Sequence, residues 1–106
     1  MPSDVVLCYT TFPNKDEALA VSKKLLEEKL IACANILPSG ISLYIWEGKT
    51  ETADEVAVLL KTLKSKTSAL QERYLQLHSY DCPCFLELSV VDGAPEYTQW
   101  IKTSLL

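Results

Sequence analysis

Residues 31–49 of this 106-residue chain read as one extended strand that is too long for so small a domain. Apolar residues dominate the stretch, which is interrupted once, at residues 38–40, before a turn at residues 47–49. The mean strand in globular domains has about 5–6 residues, so this one is roughly twice the usual length. The body of a small domain cannot cover all of it. We therefore expect another copy of the same chain to cover the overhang.

The composition is that of one globular domain spanning residues 1–106, with 48% hydrophobic residues. No apolar run approaches the ~20 residues that a membrane span needs. Residues 1–4 lack a basic start and the apolar run after them is short, so we expect no signal peptide and a cytoplasmic location. A net charge of −4 argues against nucleic acid as a partner, because phosphate binding requires a clustered positive surface.

The first half of the chain predicts a strand, a helix, and the long strand with its partner. Residues 5–10 form an apolar run typical of a buried central strand. Asn14, followed three residues later by Glu17, is close to a capping box, and the apolar residues after it recur at helical spacing. Residues 52–62 alternate as a strand. With the long strand they form a hairpin that is expected to project beyond the domain body.

The second half predicts a helix, a strand and a closing helix. Ser65 is positioned to cap the second helix, residues 85–91 alternate as a strand, and Pro95 suits the first position of a helix. The order β-α-β-β-α-β is the split βαβ, or ferredoxin-like, arrangement. We therefore predict an α+β fold: an antiparallel four-stranded sheet with helices on one face, a long hairpin between its second and third strands, and an extra C-terminal helix.

Three residues near one predicted loop have side chains that bind metal ions. His78, Cys82 and Cys84 supply an imidazole and two thiols, which are donors suited to Cu(I), Cu(II) or Zn(II). Their spacing is compact enough for a loop to surround one ion, although it is not the Cys-x-x-Cys pair of structural zinc sites. The alternative is that His78 simply ends a helix and the Cys-Pro-Cys segment enters a strand. Both interpretations stay open on the sequence.

Aromatic residues and carboxylates offer two further candidate sites, each with a plainer explanation. Tyr44, Trp46 and Trp100 could line a pocket for a flat ligand, but aromatic residues also dominate subunit interfaces, and we favour that role. Acidic residues cluster around the predicted hairpin, where carboxylates are usually solvated. Neither group predicts a reaction.

Nucleophilic catalysis has little support in the sequence. Cys8 and His78 could form a thiolate–imidazole pair, but a cysteine inside an apolar strand usually acts as a small packing residue. The chain has three glycines and one histidine, and no Gly-rich phosphate loop or nucleophile elbow is present. We therefore expect no enzymatic activity and no organic cofactor.

Five motifs follow one another along the chain. They are residues 30–35, residues 42–49, Leu60-Lys61-Thr62, His78-x-Tyr80-x-x-Pro83 and Gly93-x-Pro95-x-Tyr97-x-x-Trp100. In this order and spacing they resemble the CutA divalent-cation tolerance family, and the Tyr-x-Trp-Glu-Gly-Lys turn at residues 44–49 is the most specific of them. The resemblance covers essentially the whole chain.

The resemblance implies a ferredoxin-like domain assembled as a homotrimer, with the long hairpins pairing between subunits. It also implies a role in tolerance of divalent metal ions such as copper, through metal binding and without catalysis. The trimer is similar to that of PII-like nitrogen-regulatory proteins. The alternative function is therefore a signalling module that binds a small effector in clefts between subunits.

Two positions depart from the family's pattern. Ser79 stands where the family usually has proline, and Cys84 stands where it usually has an acidic residue. The resemblance carries Cys8 and His78 over as candidate metal ligands, and we add Cys84 and Cys82. A thiolate in place of a carboxylate favours softer ions, so the predicted ion is Cu or Zn.

Overall fold

The computed structural model of the protein describes residues 4–106. Residues 1–3, part of the segment in which we expect no signal peptide, lie outside the described residues. The elements in chain order are β1 (Val5–Phe12), α1 (Lys15–Glu27), β2 (Cys33–Ile36), β3 (Gly40–Trp46), β4 (Lys49–Leu63), α2 (Thr67–Leu77), β5 (Phe85–Ser89) and α3 (Pro95–Ser104), with a short 3-10 turn, Lys64–Lys66, before α2.

The sheet has the strand order β2-β4-β1-β5, and every neighbouring pair is antiparallel. This is the predicted ferredoxin-like order. The long strand predicted at residues 31–49 is present as two shorter strands, β2 and β3, which both pair with the 15-residue β4. The break falls at residues 37–39, where Pro38 lacks the N–H that a continuous ladder needs.

Local signals predicted two of the three helix starts. The Asn14 side chain accepts a hydrogen bond from the Glu17 N–H at 2.8 Å, as the capping pattern predicted, and α3 begins at Pro95. The prediction that Ser65 caps the second helix was wrong. The chain first makes the 3-10 turn, in which the Thr67 hydroxyl donates to the Lys64 carbonyl at 2.9 Å, so α2 begins at Thr67. Among residues 4–106, no helix has the length and hydropathy to cross a bilayer.

The largest core cluster lies between the sheet and helices α1 and α2. Strand β1 contributes Val6, Cys8 and Phe12, and α2 contributes Leu70 and Tyr74. The Phe12 and Tyr74 rings meet edge-on, with their centroids 5.8 Å apart. Alternate residues of a strand point to the same face, so this side is the helix-covered face of the sheet.

Helix α3 lies on the opposite face, whereas we predicted helices on one face only. Ile101 of α3 and Leu105, the residue after the helix, pack against Val5, and Val5 points to the opposite side from Val6 because the two are adjacent on β1. The helix covers only one end of this side. The remainder, which we call the open face, carries apolar residues such as Leu86, whose side chain is well exposed.

Strand β3 and the first half of β4 project beyond the body as a two-stranded ribbon, here called the arm (residues 40–55). Glu47 and Gly48 turn the chain with φ angles of 50° and 78°, the left-handed pair that a tight two-residue hairpin requires. The arm contributes to the elongated shape of 44 × 27 × 24 Å. Its residues Ile41, Leu43 and Ile45 are 71–79% exposed, so the arm has an apolar surface that its own chain leaves uncovered.

Candidate functional site

A cavity of about 530 Å³ opens where the arm meets the open face of the sheet. The arm contributes Tyr44 and Trp46, β1 contributes Tyr9, and the loop after α2 contributes residues 80–82. Small-molecule sites in proteins usually have volumes of roughly 300–1,000 Å³ and convergent polar groups. The cavity therefore has the size of a ligand site and is the candidate functional site of this chain.

Glu55 and Tyr80 join the loop to the base of the arm at this cavity. The Tyr80 hydroxyl donates to Glu55 Oε2 at 3.0 Å. Burial and the neighbouring Glu55 carboxylate raise the pKa of Tyr80 to about 12. Tyr80 is therefore a neutral phenol at physiological pH, and it holds one oxygen of Glu55 in place.

His78, a predicted metal ligand, lies in the core rather than at the cavity. Its ring stacks on Phe12 with centroids 4.7 Å apart and planes inclined by 18°. Nε2 lies 2.7 Å from the Thr11 carbonyl oxygen, and Nδ1 accepts from the Tyr80 N–H at 3.0 Å. A carbonyl needs a donor and an N–H needs an acceptor, so this pattern requires the proton on Nε2. Both ring nitrogens are thus engaged within the chain.

The nearby Glu17 carboxylate does not change this assignment. Its Oε2 lies 3.6 Å from His78 Nδ1, but it also accepts the Ser79 N–H at 3.1 Å. An ion pair would need a proton on Nδ1, where the Tyr80 N–H already points. We therefore regard His78 as the residue that ties the end of α2 to the end of β1.

Cys8, the second residue carried over from the resemblance, is fully buried in the cluster beneath α1 and α2. Burial, then the charge of Glu87, raises the pKa of the Cys8 thiol to about 11. Metal binding requires the thiolate. In this fold Cys8 is a packing residue, and it faces away from the cavity because the cavity lies on the side of Tyr9.

Cys82 and Cys84, in contrast, both line the cavity. Cys82 is exposed and Cys84 is half-buried, and neither forms a disulfide. The Cys84 thiol lies 3.9 Å from the Tyr9 carbonyl oxygen, and burial, then the Glu55 charge, raises its pKa. The structure thus brings two of the four predicted ligands together and places the other two in the core. Within residues 4–106, no group of three or more His, Cys, Asp or Glu side chains is arranged to hold a metal ion.

The aromatic residues predicted as one group separate in the structure. Tyr44 and Trp46 line the cavity, whereas Trp100 stacks on Tyr97 of α3 with ring centroids 5.6 Å apart. The sequence reasoning missed Glu55, which was interpreted as one of several solvated carboxylates of the hairpin. Its place in alternation with buried Val56 and Val58 could have indicated that it points to the opposite, open face.

Comparisons with known proteins agree with the fold. The family model described as CutA1 divalent ion tolerance protein matches residues 6–104. The divalent-cation tolerance protein CutA of Pyrococcus horikoshii is 42% identical over 97 residues, which is 92% of this chain and 94% of that protein. The crystal structure of CutA from Xylella fastidiosa superposes with a TM-score of 0.95 at 38% identity, covering 98% of this chain and all of that one.

A further solved structure bears on cellular location. The protein from Archaeoglobus fulgidus, described as a periplasmic divalent cation tolerance protein CutA, has a TM-score of 0.93 at 35% identity over 96% of this chain and 99% of that one. The comparisons therefore do not confirm a cytoplasmic location for this chain, which stays a prediction. The relatives named here are CutA proteins, and they give no support to the alternative of a PII-like signalling module.

Proposed function

This chain belongs to the CutA1 divalent ion tolerance family, and on that premise we propose that it is a homotrimeric, non-catalytic protein that binds Cu or Zn. The observation that carries the metal proposal is the pair of thiols, Cys82 and Cys84, at one ligand-sized cavity. The relatives' names supply the role in divalent-cation tolerance. The two thiols at the cavity support the choice of metal-binding side chains.

The exposed face of the arm supports the assembly part of the proposal. Ile41, Leu43 and Ile45 are more than 70% exposed, and a contiguous apolar surface of this kind usually marks an interface. Burying this surface against a sister chain would remove it from water and stabilise the assembly by roughly 25 cal/mol for each Å² of apolar area buried. In a closed ring of identical chains, the arm of every chain is covered by a neighbouring chain.

The chemistry of the cavity thiols supports Cu(I) or Zn(II) rather than a harder ion. Two thiols from one loop leave coordination positions to be filled by water or by donors from a neighbouring subunit. Since the pKa of Cys84 is raised, binding must displace a proton from that thiol. Cys8, whose thiol is buried, and His78, whose two ring nitrogens are engaged by backbone groups, have no part in this revised ligand set.

The same contacts support a non-catalytic role. His78 is the only histidine of the chain, and both of its ring nitrogens are engaged by backbone groups. The thiol of Cys8 is buried with a raised pKa. Cys8 and His78 therefore cannot act as nucleophile and base, because the base is not available and the thiolate is not accessible.

Metal uptake by thiol variants tests the proposal. We expect Cys82→Ser combined with Cys84→Ser to weaken Zn(II) binding at least about tenfold, measured by competition with a chromophoric chelator, because thiolates are the strongest zinc donors at the cavity. Cys33→Ser is the matched control, since it removes a half-buried thiol of β2 outside the cavity. Zn(II) binding by the double variant equal to that of the control would contradict the assignment.

A further inference from the structure

The loop that follows α2, residues 78–84, is fastened to the body at its start by the ring of His78. The Tyr80 N–H donates to Nδ1 at 3.0 Å, and Nε2 lies 2.7 Å from the Thr11 carbonyl oxygen. The His78 side chain is fully buried by its own chain. These contacts therefore form within one chain and do not depend on whether a sister chain covers the arm.

The contacts of this ring fit only its neutral form. A ring that accepts at Nδ1 and donates at Nε2 carries one proton, whereas the charged imidazolium is a donor at both nitrogens. Histidine is the side chain that gains its second proton between about pH 5 and 8. With that proton on Nδ1, His78 could no longer accept the Tyr80 N–H, because two donors would face each other.

A second partner for Nδ1 already lies beside the ring. Oε2 of Glu17, on α1, is 3.6 Å from His78 Nδ1, and the Glu17 side chain is 20% exposed. It therefore connects the buried ring to solvent on the helix-covered side of the sheet, away from the open face. The same oxygen accepts the Ser79 N–H at 3.1 Å, and a carboxylate oxygen can accept more than one hydrogen bond. A proton on Nδ1 would thus replace the bond to the loop with an ion pair to α1.

The titratable groups on the other elements around the ring do not compete for this proton. Tyr74 packs on it from α2 and Tyr80 from the loop, with ring centroids 5.2 and 4.8 Å from that of His78. Burial raises the pKa of Tyr74, and it raises the pKa of Tyr80 to about 12, so both are neutral phenols in acid. Strand β1 contributes a phenyl ring and a backbone carbonyl, which do not titrate. Glu55 of β4 contacts the Tyr80 hydroxyl rather than the imidazole.

We propose that His78 is a pH-sensitive latch for the loop of residues 78–84. At neutral pH the ring accepts the Tyr80 N–H and holds the loop against the body. In acid the ring gains a proton on Nδ1 and pairs with Glu17. The Tyr80 N–H then has no acceptor on the ring, and the loop is released at this point.

The released loop is connected to two other parts of the molecule. The Tyr80 hydroxyl holds Glu55 at the base of the arm, and the same loop carries Cys82 and Cys84. Loss of the contact with the ring removes one support from each. Weaker retention of Zn(II) or Cu(I) in acid is a consequence that rests on the proposed function. The latch itself is a property of the metal-free chain, so either proposal can fail without the other.

An NMR titration of the metal-free protein from about pH 8 to about pH 5 tests the latch. The chain has one histidine, so the ring signals belong to His78. We expect the Tyr80 amide proton signal to move upfield with the same midpoint as the ring signals, because the amide loses its hydrogen bond. Its protection against hydrogen exchange, corrected for the intrinsic rate at each pH, should fall at least about fivefold. A ring that gains its proton while the Tyr80 amide is unchanged, or a ring that stays neutral throughout, would overturn the proposal.

Three variants separate the roles of the residues. Glu17→Gln keeps an acceptor for the Ser79 N–H but removes the charge beside the ring, so the midpoint should fall by about one pH unit. Glu27→Gln removes an exposed carboxylate at the end of α1 and is the control, with a midpoint unchanged within about 0.2 unit. His78→Asn offers the Tyr80 N–H an oxygen that gains no proton in this range, so the Tyr80 signal should not titrate. If His78→Asn does not fold, the wild type and Glu17→Gln decide the question, and an unchanged midpoint in Glu17→Gln would contradict the latch.

Discussion

The two halves of β4 lie in different surroundings, although they belong to one continuous strand. In the body, Val58 and Leu60 are fully buried beneath the helices. In the arm, Thr50, Thr52 and Asp54 lie on the same face as those residues, with no helix over them. The residues of β4 change from apolar to polar where the helices end. On this face of β4, therefore, residues are apolar where the chain's own helices cover them and polar where no helix covers them.

The neighbouring strand β3 does not follow this rule. Ile41, Leu43 and Ile45 pair with Asp54, Thr52 and Thr50, respectively, so they lie on the same uncovered face and yet are apolar. One strand of the arm is adapted to water and its partner is adapted to burial. The difference indicates that the arm is covered along β3 by something other than its own helices, and the trimer proposal supplies that cover.

The largest expected effect concerns the body. Leu60→Ala should lower the free energy of unfolding by about 2–5 kcal/mol, because it leaves a cavity in a fully packed cluster. The measurement is equilibrium denaturation in urea. Leu75→Ala, which truncates a half-exposed leucine of α2, is the control and should cost much less. Similar costs for the two variants would mean that the body is not packed as described.

Alkaline pH should also weaken the body, through Cys8. The thiol has a pKa of 9.0 in the unfolded chain and about 11 in the folded protein. Below pH 9 it is protonated in both states and contributes no pH dependence. Between pH 9 and 11 the unfolded chain loses the proton first, so stability falls as pH rises, by up to about 2–3 kcal/mol.

Thermal denaturation of wild type and Cys8→Ala across this pH range measures the effect. The variant should show a smaller decline between pH 9 and 10, because only the contribution of Cys84, whose pKa burial also raises, remains in it. Above pH 10, Tyr74 and Tyr80 add to the decline in both proteins, because burial raises their pKa values as well. A parallel decline in the two proteins from pH 9 to 10 would show that Cys8 is not shielded from solvent.

A smaller effect is expected at the tip of the arm. Gly48 has a φ of 78°, so Gly48→Ala places a side chain on a residue in the left-handed conformation. It should lower the free energy of unfolding by about 1 kcal/mol. Gly40, at the base of β3, lacks a positive φ, and an added Cβ would come no closer than 3.9 Å to its nearest neighbour. Gly40→Ala should therefore change unfolding by less than about 0.5 kcal/mol. Equal effects on thermal unfolding would contradict the described turn.

The sequence predicted the features that depend on local signals. The Asn14 cap, the start of α3 at Pro95 and the projecting hairpin all rest on patterns within a few residues. The contacts of His78 could not be predicted in this way, because Thr11 lies 67 positions away and meets the ring only through the fold. The same holds for Glu55 and Tyr80, which join the arm to a loop 25 positions later.

Analytical ultracentrifugation of the intact chain tests the central claim, that the apolar face of the arm is covered by sister chains. Wild type should sediment at about three times the 11.8 kDa chain mass at micromolar concentration. Leu43→Asp should dissociate to a monomer with unchanged helical circular dichroism, while Leu75→Asp should remain a trimer. A wild-type protein that sediments as a stable monomer would contradict the account.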